Sequence, residues 1–200
     1  MTGSDQIARL RIILDKVKPP VRRWVEVPLS TRLDRLHHIF QIVMGWENYH
    51  LYEFRIGREV AYGVPDPDWD LPGSSPRPAN KTMLASLLAH TGNKTFKYVY
   101  DFGDDWLHTV KLEGLAAPEP QTTYPRLLAA KGRCPPEDVG GPWGYAQYLE
   151  AMADPDHELH AEMVEWRGPD FDPNAVDEAA IRKRLYRLAP RRKAKIGART

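Results

Sequence analysis

Apolar and polar positions alternate with period two at both ends of the N-terminal half of the chain. Arg9-Leu10-Arg11-Ile12 reads as a strand, and after the Lys18-Pro19-Pro20 turn Val21, Arg23, Val25 and Val27 alternate with Arg22, Trp24 and Glu26. These two stretches predict a hairpin. Pro28 stops the second strand, and the period then lengthens: Leu33, Leu36, Phe40, Val43 and Met44 fall on one helical stripe that ends at Gly45. Thr31, with Asp34 three residues on, resembles a capping box at its start. A further strand is expected from His50 to Ile56, with a continuation toward Tyr62, and the Pro-, Asp-, Gly- and Ser-rich run from Gly63 to Asn80 reads as a long loop.

A short helix over Thr82–Ala89 precedes the clearest hairpin. Phe96, Tyr98, Tyr100 and Phe102 alternate outward, Gly103-Asp104-Asp105 turns, and Trp106, His108, Val110 and Leu112 alternate back. A three-residue loop pairs Phe102 with Trp106, Tyr100 with His108 and Tyr98 with Val110, so all of them share one sheet face. After a Pro-rich connection, helical spacing recurs three times: Tyr145, Tyr148, Leu149 and Met152; Leu159, Met163 and Trp166; and Ile181, Leu185 and Leu188, the last helix opened by Asp172-Pro173. The pattern predicts an α+β domain over residues 1–188: an antiparallel-dominated mixed sheet of about five strands, one N-terminal crossing helix and three C-terminal helices.

Composition narrows the class. The 200 residues are 42% hydrophobic and 28% charged, as in a globular protein, and no apolar run approaches the ~20 residues of a membrane span. One cysteine excludes an internal disulfide framework, and the first residues lack a secretory pattern, so a cytoplasmic home is expected. The net charge of +1 hides an asymmetry. Residues 182–200 hold nine Lys and Arg and no acid; removing them from the 28 leaves 19 against 27 acids, about −8 for the rest. Residues 189–200 therefore read as a basic, disordered tail. Through Arg191, Arg192, Lys193 and Lys195 it is suited to nucleic-acid phosphates, whereas the acidic body repels them.

From Cys134 to Tyr145 the chain reads Cys-Pro-Pro-Glu-Asp-Val-Gly-Gly-Pro-Trp-Gly-Tyr, in which paired prolines and three glycines specify a definite backbone around Glu137, Asp138 and Trp143. Together with Lys18-Pro-Pro-Val-Arg-Arg, Leu36-His-His, Met44-Gly-Trp-Glu47, the run from Tyr98 to His108, Asp154-Pro-Asp-His157 and the stretch Gly168 to Pro173, it closely resembles the Ri-plasmid ORF-3-like family over residues 7–188. Members of that family occur on plasmids and beside insertion elements, some with a resolvase-like passenger label. The resemblance implies an α+β fold and a largely uncharacterised function. One departure stands out: where the resemblance leads one to expect His-Leu-His-Glu-Phe, this chain has His50-Leu-Tyr52-Glu-Phe, which weakens a metal site built on the second histidine.

The candidate chemistry reduces to one cluster. Asp66, Asp68 and Asp70 lack the glycine register and terminal glutamate of a calcium loop. His157-Glu-Leu-His160 has the wrong spacing for the zinc-protease helix, and Asp101-Phe-Gly103 stands without the other kinase elements. Cys134 has no base beside it and reads as packed, and His37, bordering the Leu33–Phe40 stripe, reads as a satisfied flank residue. What remains is Asp104 and Asp105 at a hairpin tip, His108 along the same strand, and Glu137, Asp138 and Trp143 on the braced loop. No metal and no cofactor are assigned from sequence. The reading is a non-enzymatic module that binds a protein or nucleic-acid partner. The alternative is a metal-dependent nuclease or recombination accessory, which requires those carboxylates and the imidazole to converge.

Overall fold

A computed structural model of the chain describes residues 6–57, 60–66, 68, 75–92 and 94–189. Arg191, Arg192, Lys193 and Lys195, like Asp70, lie outside them. The N-terminal hairpin forms as its alternation requires: β1 (Ile7–Leu14) pairs antiparallel with β2 (Arg22–Pro28), and Ala8, Leu10, Ile12, Val25 and Val27 are fully buried on one face. Helix α1 (Leu33–Met44) follows and ends at Gly45, whose φ of 96° is the left-handed value that glycine accepts without strain. The capping box does not form. Asp34 instead ion-pairs with Arg32 at 2.7 Å, and the amide of Leu33 donates to the carbonyl of Thr82, because an Arg32–Met83 bridge sets the starts of α1 and α2 (Leu84–Thr91) side by side.

The fold is α+β with five helices and a mixed sheet of eight strands rather than about five. The stretch after His50 divides into β3 (Tyr52–Ile56) and β4 (Val60–Gly63), separated by Gly57 at φ 59°. Part of the long loop supplies the short β5 (Arg77–Pro78), parallel to β4. Then come β6 (Thr95–Tyr100) and β7 (Trp106–Ala116), and the Pro-rich connection contains the edge strand β8 (Arg126–Lys131). The order is β5-β4-β3-β6-β7-β1-β2-β8, antiparallel except for β4 with β5.

The β6–β7 register corrects the sequence expectation by two residues on β6: Tyr100 pairs with Trp106, Tyr98 with His108 and Phe96 with Val110. Asp101 is the cause. It takes a left-handed φ of 57°, its carboxylate accepts the amides of Gly103 and Asp104, and its carbonyl accepts the amide of Asp105, so the loop runs from Asp101 to Asp105. Phe102 leaves the strand and is half exposed. A slip of two keeps every other side chain on its expected face.

That face forms the core. Phe40 of α1 meets Phe54 and Tyr98 edge-on, and Trp46 stacks on Tyr100 at 4.9 Å. Helices α3 (Gly141–Ala153), α4 (His160–Arg167) and α5 (Glu178–Leu188) close the chain; Tyr145, Tyr148, Ile181 and Leu185 join the same apolar cluster. α5 begins later than Asp172-Pro173 suggests. Asp177 caps it by accepting the amide of Ala180, while Asp172 is spent on a local turn to Asn174. The opposite sheet face is polar, with Glu26 bridging Arg9 and Arg126 and Asp15 holding Lys97. Among the described residues no helix is long and apolar enough to cross a membrane.

Candidate functional site

The β6–β7 tip and the proline-braced loop touch. The amide of Gly140 donates to Asp104 Oδ2 at 3.2 Å, and Gly141 lies against the Asp104 carbonyl. Asp138 sits beside them in a left-handed turn at φ 60°. Its Oδ1 is 2.9 Å from His50 Nε2, which is also 3.5 Å from Asp101 Oδ2. One ligand atom from each of His50, Asp101 and Asp138 thus lies within 4.8 Å of the other two, a spacing at which an imidazole nitrogen and two carboxylate oxygens can share a divalent cation.

The sequence candidates divide around this trio. Asp138 belongs to it, and Asp104 anchors the two loops whose contact creates it. Asp105 stays at the tip at φ 50° and supplies only geometry to the turn. Glu137 turns inward: Oε1 accepts from the Glu47 amide and the Tyr100 hydroxyl, Oε2 is buried without a partner, and burial raises its pKa. His108 is not in the cluster. It is fully enclosed between Trp46 and Tyr98, donates from Nδ1 to the Tyr98 carbonyl at 3.2 Å, and burial holds its pKa down at about 4. Its strand position aims it at the core because the face it shares with Tyr98 is the one α1 covers. Trp143 projects into solvent, 74% exposed.

Sequence reasoning passed over His50 and Asp101. Asp101 was hidden by its resemblance to an unrelated motif, although an Asp-Phe-Gly-Asp run at a hairpin end is a ready Asx turn. His50 precedes β3 by two residues, and only the pairing of β3 with β6 brings it to Asp101. The Tyr52 departure has a structural place: its ring stacks on His37 at 3.6 Å, in the core, and the trio assembles without it. His37 in turn bonds the Tyr98 hydroxyl and Asn48, and burial lowers its pKa to about 4. Cys134 is packed, with its thiol pushed up to about 12 by burial. His157 and His160 are engaged in local backbone bonds to Leu159 and Ala151.

Exposed large apolar residues adjoin the trio and the loop contact along the chain. Tyr49 and Leu51 flank His50 and are 68% and 54% exposed, Phe102 follows Asp101, and Trp143 stands two residues after the glycine packed on Asp104.

Fold and site together define an α+β domain with one helix-covered sheet face and a His-Asp-Asp centre at the meeting of three loops. The chain belongs to the plasmid pRiA4b ORF-3-like protein family, whose pattern it matches over residues 6–180. It is 50% identical over 184 residues to the uncharacterized protein y4hQ of Sinorhizobium fredii, covering 92% of each chain. It also superposes on the crystal structure of MM3350 from Methanosarcina mazei Go1, a protein of unknown function, with a TM-score of 0.76 and 32% identity, over 87% of this chain and 96% of that one.

Proposed function

We propose that this protein is a non-enzymatic interaction module whose working surface is the His50–Asp101–Asp138 centre and its apolar rim, and that the partner is a protein presenting basic side chains. The observation that carries this reading is the exposure of Tyr49, Leu51, Phe102 and Trp143 beside a centre with two carboxylates. Exposed aromatics concentrated at one place are costly in water and are common anchors of protein interfaces. The carboxylates repel a phosphate backbone and attract Lys or Arg, which favours a protein over nucleic acid. The test is to capture a partner on the immobilised full chain, identify and purify it, and measure its affinity for the wild type and for Phe102→Ala/Trp143→Ala. A loss of tenfold or more is expected; unchanged affinity for the double variant would refute this surface.

One observation favours a second reading. Three ligand atoms within 4.8 Å suit a divalent cation, as the metal-dependent nuclease alternative requires. Calorimetric titration with Mn²⁺ decides it: saturable binding lost in His50→Ala supports the cation, and no heat rejects it. The nuclease step further demands Mn²⁺-dependent cleavage of DNA that disappears in Asp138→Ala.

A further inference from the structure

Behind Glu137, on the side of the C-terminal helices, lies a cavity of about 620 Å³, within the range of small-molecule sites. Four arginines from four separate segments line it: Arg23 of β2, Arg133 after β8, Arg167 at the end of α4 and Arg184 of α5. Among the described residues none of the four has an ion-pair partner. The acids in the wall are committed elsewhere. Glu47 accepts the Tyr49 hydroxyl, Asp177 caps α5, and Glu137 is hydrogen-bonded to Tyr100 and the Glu47 amide. The four guanidinium groups outnumber the three carboxylates of the same wall and form no ion pair with them, and an anion relieves their mutual repulsion.

Two buried groups sharpen the picture. Arg23 is 1% exposed; its Nε and NH1 donate to the carbonyls of Val43, Arg22, Lys131 and Gly132, while NH2 makes no hydrogen bond among the described residues. Glu137 is 7% exposed and its Oε2 is buried with no partner. Arg23 NH2 is thus left as a donor for a ligand at the cavity it lines, whereas Glu137 Oε2 is closed to solvent. Between these groups the wall is apolar, with Ile42, Met44, Phe171 and Val176.

We infer that this cavity binds a small organic anion: a carboxylate or phosphate ester on an apolar body, its charge held by Arg23, Arg133 and Arg184 and its apolar part set against Ile42, Met44 and Val176. This site is independent of the His50–Asp101–Asp138 centre and of any partner there. Titration of the full chain with benzoate and with phenyl phosphate, followed by calorimetry, tests it and separates the two anion types. Saturable binding of at least one probe is expected, weakened tenfold or more in Arg133→Gln and in Arg184→Gln. Both arginines line the cavity from solvent-exposed positions, so folding is retained. Arg187→Gln, on the same helix but outside the cavity, should bind as wild type. Binding of neither probe at millimolar concentration would overturn the inference, as would equal loss in Arg187→Gln or equal affinity for inorganic phosphate.

Discussion

Gly141 lies so close to Asp104 that a Cβ on it would stand 2.5 Å from the Asp104 carbonyl oxygen. This contact docks the proline-braced loop on the β6–β7 tip and holds Asp138 beside Asp101. No side chain fits there, and the φ of 68° would strain one even in open space.

Gly141→Ala should therefore lose about 3 kcal/mol of stability, since a backbone clash adds to the left-handed penalty. Gly45→Ala is the control: its φ is 96° but nothing lies within 4 Å of the added carbon, so about 1 kcal/mol is expected. Urea unfolding of both variants measures the difference, and equal losses would show that the docking contact carries no energy.

Asp101 has two roles that substitution can separate. Its Oδ1 holds the turn amides of Gly103 and Asp104, and its Oδ2 faces His50. Asp101→Ala should cost about 2 kcal/mol, because two turn amides lose their acceptor. Asp101→Asn keeps an acceptor and tolerates the left-handed backbone, so its thermal midpoint should stay near wild type while the charge at the centre is lost. A midpoint as low as that of the alanine variant would contradict the turn assignment.

The two core histidines make stability depend on pH. His37 and His108 are held at about 4, below the ordinary value of about 6.5 that they regain on unfolding. Between those values the unfolded chain binds more protons, so stability falls as pH drops from about 6.5 to about 4, with a slope of up to about 1.4 kcal/mol per pH unit for each histidine. Glu137 acts in the opposite sense. Its raised pKa favours the fold at low pH and loses that contribution as pH rises above the usual glutamate range, which blunts the slope. Denaturant unfolding at pH 4.5 and pH 7 should find the protein less stable at the lower value; the reverse order would mean that the histidines are not buried neutral.

Arg23→Met should cost about 3 kcal/mol or more. The guanidinium ties the end of α1, at Val43, to the β2 and β8 backbones, and its loss strands carbonyls that water reaches poorly. Arg23→Lys should recover little, since a single ammonium cannot copy the fork. Full recovery in the lysine variant, measured by chemical denaturation, would count against this role.

The class of fold was legible because period-two and period-3.6 patterns are local: β1, β2, α1, β6, β7 and α3 lie within a few residues of where their apolar spacing puts them. The strands that escaped notice are those whose pattern is weak. β8 reads Arg-Leu-Leu-Ala-Ala-Lys and exists because the edge of β2 offers it a ladder, and β5 has only two residues. The β6–β7 register missed by two because a side-chain acceptor, Asp101, outcompeted the shorter turn, yet the face was right because a slip of two preserves it.

By itself the sequence determined the apolar faces, the rigid Cys134–Tyr145 loop, the family resemblance and the absence of any familiar catalytic motif, since these depend on residue type and near spacing. Tertiary structure alone decided that His108 is core and that His50 meets Asp101 and Asp138, that Glu137 and Asp138 turn to opposite neighbourhoods, and that four arginines meet at one cavity. The reason is physical: proximity of Asp101 to Asp138, or of Arg23 to Arg184, arises from strand order and helix packing, which no single stretch of chain encodes.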